Sequence, residues 1–149
     1  MKIVMGSDHA GLSLKKQIIS HLEEQGHEVV DVGTNDGSSV DYPDFGLKVA
    51  EEVSTGNYDR GIVICGTGIG ISIAANKVKG IRCAMVSDTF SAEMARAHNN
   101  ANMIGFGERV VGLGLATKIV DVFLKTEFEG GRHERRVNII KEIEDKNFK

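Results

Sequence analysis

The stretch that decides the fold is Arg60–Lys77, "RGIVICGTGIGISIAANK". Its first part, Gly61 to Ile64, is a short apolar run of the kind that forms a strand buried on both faces. Three glycines follow at alternate positions, Gly66, Gly68 and Gly70, and the chain then enters a helix. A glycine-rich turn from strand into helix usually presents backbone amides to an anion. This one starts with Cys65, which neither a phosphate nor a nucleotide requires. The dinucleotide fingerprint Gly-x-Gly-x-x-Gly fails, because Gly66 and Gly68 need a third glycine where Ile71 stands, and no Gly-Lys-Ser/Thr of a P-loop follows. Asp88 lies at a distance suited to a ribose ligand, but it follows a different strand. What remains is a turn whose amides stabilise negative charge, or a tight strand-to-helix turn with no ligand.

Outward from this stretch the same alternation repeats. "KIVMG" is a first strand, and "LSLKKQIISHLEEQG" is a helix with Leu14, Ile18 and Leu22 at helical spacing and Gly26 as its stop. "HEVVDVG" is the second strand. Asp41-Tyr42-Pro43 then opens a helix, with Asp41 as its cap and Phe45, Val49, Ala50 and Val53 as its apolar face. "IRCAMVSD" is the fourth strand and "TFSAEMARAHN" its helix; "NMIGFG" is the fifth strand and "VVGLGLATKIVDVFLKTEF" a long helix. After "EGG" comes a last amphipathic helix, about 133–146, with Val137, Ile140 and Ile143 on one side. Apolar strands separated by helices predict an α/β domain spanning 1–149, with a parallel sheet covered on both faces. Ligands of such sheets sit beyond the carboxyl ends of the strands, where the strand order reverses. The residues there are Ser7-Asp8-His9, Gly33-Thr34, Cys65–Gly70, Ser87-Asp88 and Gly107-Glu108-Arg109.

The totals exclude several classes. With 149 residues the chain can bury the core of one domain. A net charge of −3 offers no basic stripe for nucleic acid. No apolar run reaches the roughly 20 residues of a membrane span, and "MKIVMGSDHAG" is too short for a signal peptide. The 2 cysteines, Cys65 and Cys83, make no disulfide framework and suit a reducing cytosol. No Cys-x-x-Cys or His-x-x-x-His occurs, so no zinc site is expected.

Among the chemical candidates, Cys65 is either a small buried filler or a nucleophile or base, since a thiol beside a helix N-terminus carries more thiolate near neutral pH. Cys83, inside a strand, reads as filler. Asp8 and His9 can face Cys65 if the first and third strands are neighbours; otherwise they are a turn-capping Asp and a surface His. His98, before Asn99 and Asn100, ends a helix, where an imidazole commonly complements the dipole. His21 and His27 read as structural. Arg132 and Arg136, four apart, either share one helical face and grip a phosphate or belong to a solvated charged face; Arg109 is a further anion ligand.

Taken together, "GSDHAG", "VDYPDFG", "GIVICGTGIGISIAANKVKGIR", "AHNNANMIGFGERVVG" and "EGGRHERRV" resemble the type B ribose-5-phosphate isomerase family, which includes allose- and galactose-6-phosphate isomerases. Only the loop "TNDGSSV" carries no family signature. The resemblance implies a three-layer α/β/α sandwich with a five-stranded, Rossmann-like parallel sheet in order 2-1-3-5-4. It implies a cytoplasmic aldose–ketose isomerase, acting on ribose 5-phosphate or a six-carbon sugar phosphate, with no metal or organic cofactor. By the same resemblance Cys65 is the base, where a second subgroup uses a Glu at the position of Ile71. Thr67 assists at the reacting hydroxyls, and the amides of Gly66, Gly68 and Gly70 face the enediolate. His98 opens the furanose, Asp8 contacts a sugar hydroxyl, His9, Arg132 and Arg136 hold the phosphate, and Asn99 and Arg109 complete the site. Homodimers or homotetramers with sites shared between subunits are implied. A non-catalytic nucleotide-binding module is the rival from another class, weakened by the missing third glycine.

Overall fold

The structure, a computed structural model, describes residues 1–148. Five parallel strands form one sheet: β1 (Lys2–Ser7), β2 (Glu28–Asp31), β3 (Arg60–Cys65), β4 (Cys83–Met85) and β5 (Met103–Gly107), in the order β2-β1-β3-β5-β4. Six α-helices accompany it: α1 (Leu12–Glu24), α2 (Tyr42–Ser54), α3 (Ile69–Ala75), α4 (Thr89–Ala97), α5 (Leu113–Lys125) and α6 (Arg132–Asn147). The strand order expected from the resemblance is the one observed. It reverses between β1 and β3, whose registers place Ser7 beside Ile64 at their carboxyl ends.

Strand side chains alternate between two cores. Ile3, Met5, Ile62, Ile64, Ile104 and Phe106 pack against Leu14, Ile18 and Leu22 of α1 and Ile119, Val120 and Phe123 of α5. Val4, Val63, Cys65 and Met103 face the other way, onto Val49, Ala50 and Val53 of α2 and Ile71 and Ala75 of α3. Each fully buried side chain of this size contributes about 1.5–3 kcal/mol, so the two faces together hold the sandwich. Because alternation assigns Cys65 to the α2–α3 face, its thiol is aimed at the start of α3. On the other side Lys15, fully buried, reaches Asp31 at 2.7 Å and the carbonyl of Thr34, tying α1 to the end of β2.

Two expectations are corrected, the cap of α2 and the start of α5. Asp41 stands at the N-cap of α2, but its side chain makes no cap bond; the entry is set by Pro43 in the first turn. The α5 helix starts at Leu113 rather than Val110, because Val110 and Val111 both donate to Gly107 O in a tight turn that the helix must follow. Of the apolar side of α6, Val137 is buried, while Ile140 and Ile143 are 45% and 57% exposed. Asp88, which the sequence already sets aside because it follows a different strand, caps α4, accepting from Ser91 N and Oγ at 2.6 and 2.8 Å.

The loop after β3 lies directly on the end of β5. Gly68 has φ +83, and a Cβ there would stand 2.6 Å from the Phe106 backbone. A Cβ on Gly107 would stand 2.5 Å from Gly66 O and from Thr67 Cα. Gly107→Ala should therefore displace the loop and lower stability by roughly 1–3 kcal/mol, whereas Gly37→Ala, in open space, should stay within about 0.5 kcal/mol. Urea unfolding midpoints of the two variants check this; equal midpoints would mean the loop yields freely.

Candidate active site

Beyond the carboxyl ends of β1, β3 and β5 is a cleft of about 600 Å³ lined by Asp8, His9, Tyr42, Cys65, Thr67 and Arg109, among others. Cys65 forms its floor, only 5% exposed. Gly68 N–H donates to Cys65 Sγ at 3.1 Å, a contact that sulfur makes more strongly as thiolate than as thiol. The next turn leads into α3, with Thr67 Oγ1 accepting from Ile69 N at 3.2 Å. Glu108 N and Arg109 N donate to Cys65 O and Gly66 O at 2.9 and 3.1 Å, so β5's outgoing chain clamps the loop's first carbonyls. The Arg109 side chain then folds over Gly66, where a Cβ would come within 3.2 Å of its Nη1.

Asp8 combines both alternatives read from the sequence. Its Oδ1 accepts from Ala10 N and Gly11 N at 3.0 and 3.1 Å, capping the 3₁₀ turn His9–Gly11, and it also lines the cleft. His9 is fixed by the loop without a family signature: Val40 N donates to His9 Nδ1 at 3.1 Å. In the neutral ring the proton is then on Nε2, which is left as a donor.

The other expected residues lie elsewhere. His98 ends α4, which runs antiparallel to the strands, and Asn102, four residues on, receives a bond from Gly61 N at the start of β3. His98, Asn99, Arg132 and Arg136 thus cluster at the opposite end of the sheet, separated from Cys65 by roughly the length of β3, about 17 Å. Arg82 and Arg96 brace this end: Arg82 donates to Asn99 O and Asn100 O, and Arg96 to Ala101 O and Thr126 O. Burial, with the neighbouring Arg60 and Arg82 charges, pushes the Arg96 guanidinium down to about 10. Arg132 and Arg136 are exposed on one face of α6, without an ion pair among the described residues.

Sequence reading missed Tyr42, whose ring edges the cleft beside Gly70, and the pair Glu129 and His133 beside His98. Glu129 and His133 are four apart, a helical spacing that was there to be read, but only the fold brings His98 to them. These three are the one group among the described residues of a type and closeness to hold a metal ion. The two imidazoles are stacked with planes 8° apart, so their in-plane lone pairs do not converge on a common point. His21 and His27 are structural as read: His21 pairs with Asp121 at 2.8 Å, and His27 Nδ1 meets the N-terminal amine at 3.1 Å.

A family model described as Ribose/Galactose Isomerase matches residues 3–140. The ribose-5-phosphate isomerase B of Escherichia coli is 51% identical over 145 residues, covering 97% of each chain. The solved structure of Clostridium thermocellum ribose-5-phosphate isomerase B is 62% identical with a TM-score of 0.97, covering 98% of this chain and 99% of that one. That of Mycoplasma genitalium ribose-5-phosphate isomerase B, with bound ribulose 5-phosphate, is 47% identical with a TM-score of 0.94, covering 98% and 97%.

Both cysteines belong to the α3-side core, 5% and 8% exposed, but Cys65 opens on the cleft and takes the Gly68 amide, whereas Cys83 lies inside β4, where burial pushes its thiol up to about 12. Iodoacetamide on the native protein should therefore alkylate Cys65 and leave Cys83 unmodified until the chain unfolds, as peptide mass spectrometry can read. Labelling of Cys83 at the same rate would contradict this placement.

Proposed function

The chain belongs to the ribose/galactose isomerase family, and we propose that it interconverts ribose 5-phosphate and ribulose 5-phosphate through a cis-enediolate, with Cys65 as the base. The observation that carries this reading is the Cys65 thiol on the floor of a cleft, under a loop whose amide already donates to its sulfur. The thiolate removes the C2 proton of open-chain ribose 5-phosphate, and negative charge develops on oxygen. The amides of Gly66, Gly68 and Gly70 stabilise that charge in place of water; each such donor is worth about a hundredfold in rate. The thiol returns a proton to C1, and the O2 proton passes to O1, a transfer the neighbouring Thr67 hydroxyl assists. Asp8 holds a sugar hydroxyl, and His9 Nε2–H is a phosphate donor. The chemistry assigned to these residues uses no metal or organic cofactor, and a small phosphorylated metabolite fits a cytoplasmic enzyme.

His98, Asn99, Arg132 and Arg136 act in this reading from a second copy. Two copies side by side and antiparallel, related by a two-fold axis, bring the top of each sheet to the bottom of the other, completing two equal sites. The exposed Ile140 and Ile143, with the apolar groove of about 410 Å³ between α6 and β4, support an association that covers them. Arg132 and Arg136 then close on the phosphate, and the binding energy fixes the sugar carbons over Cys65.

Purified protein should form ketose from ribose 5-phosphate with chelator present, at higher kcat/KM than from allose 6-phosphate or galactose 6-phosphate. The reverse ranking would make a six-carbon sugar the substrate. Cys65→Ala should be inactive while folded, and His98→Asn severely impaired. Co-expressed in one cell, these two variants should regain about a quarter of wild-type activity, since half the dimers are mixed and each has one intact site. No recovery, with mixed dimers verified by mass, would reject the shared site.

A further inference from the structure

At the foot of the sheet His98, Glu129 and His133 form a cluster of which only His98 has a role so far. The two imidazoles are stacked, centroids 4.0 Å apart and planes 8° apart. Glu129 Oε1 lies 3.9 Å from His98 Nε2 and 3.6 Å from His133 Nε2. His98 is 37% exposed and reaches outward, while the His133 side chain is 10% exposed beneath it. Main-chain bonds fix the arrangement: Glu129 N donates to Ala97 O at 3.0 Å, next to His98, and His133 N to Gly130 O at 3.1 Å.

Two imidazolium rings at this separation would repel, so charge on one ring disfavours charge on the other. The charged groups around it are His98 on α4, Glu129 on the connecting segment, and Arg132 and Arg136 on α6. Burial, aided by the positive neighbours His98, Arg132 and Arg136 and opposed by Glu129, holds His133 below the usual imidazole range. His133 is thus the ring that its surroundings keep from charging, and His98 is the ring that solvent and substrate can reach.

We infer that His133 and Glu129 are positioning residues for opening of the furanose, His133 fixing the plane of His98 and Glu129 steadying the imidazolium formed there. This rests on the reading of His98 as the ring-opening group. In that step the O1 hydroxyl gives its proton to neutral His98 as C1=O1 forms. The C1–O4 bond breaks, its electron pair leaving on O4, and His98 returns the proton to O4. Between those transfers His98 is a cation, 3.9 Å from the Glu129 carboxylate. Neither His133 nor Glu129 needs to touch the sugar.

Ribulose 5-phosphate separates this step from the chemistry at Cys65. It is acyclic, because no free hydroxyl can close a five-membered ring onto its C2. Exchange of its C1 hydrogen with heavy water therefore reports proton abstraction without ring opening. His133→Ala and Glu129→Gln should lower kcat/KM for ribose 5-phosphate about tenfold, a part of the roughly hundredfold or more that a placed acid–base group supplies. Deuterium wash-in to ribulose 5-phosphate, followed by NMR, should stay within about twofold of wild type. His98→Asn should show the same split with a larger loss. Glu129 is 56% exposed, so Glu129→Gln tests the idea even if His133→Ala does not fold. Proportional loss of both readouts in these variants, or no loss in either, while His98→Asn still splits them, overturns the positioning role. If His98→Asn itself shows no split, the ring-opening reading of His98 fails instead.

Discussion

Everything in the cleft depends on one close approach, that of the loop after β3 to the end of β5. Backbone meets backbone there, with no room for a side chain at Gly68 or Gly107. The loop is held from below by β5 and from the side by amides of Glu108 and Arg109 on its carbonyls. One of its own amides, that of Gly68, is thereby fixed onto Cys65 Sγ. Donors fixed in this way need no reorganisation when charge appears beside them, which is the condition under which hydrogen bonds stabilise a transient anion best.

The second organising fact is polarity along the strands. A parallel sheet puts all strand ends at one edge and all helix ends at the other, so residues following strands and residues following helices are separated by the sheet's height. Cys65, Asp8 and His9 follow strands, whereas His98 and Asn99 follow a helix. The proposed chemistry, which requires both groups, therefore calls for a second copy, and α6 leaves apolar residues outward that such a copy would cover.

Most of the architecture was legible because periodicity is local: apolar runs of strand length alternate with helical spacing of Leu14, Ile18 and Leu22, or of Val49 and Val53. Strand order was not local, and came from the resemblance. The cysteine-led glycine loop was legible as a tight turn from strand into helix, because closely spaced glycines mark places where backbone must approach backbone. What stayed illegible shares a cause. Whether Asp41 bonds its helix, whether Ile140 packs inward, and whether His133 meets His98 all depend on where distant segments come to rest. Spacing along the chain says which residues share a face; it does not say what the face meets.

The contact between Val40 and His9 bears on how such a protein can change over generations. What the segment "TNDGSSV" supplies to the cleft is a main-chain N–H, which every residue but proline carries. An exposed side chain with no hydrogen bond of its own among the described residues, such as that of Ser39, is therefore at liberty to drift while the imidazole keeps the same tautomer. A proline at position 40, or loss of the Thr34 and Asp36 bonds that hold the segment's path, would be felt at the cleft. A stretch with no recognisable signature can thus be held to its task by selection on its course alone.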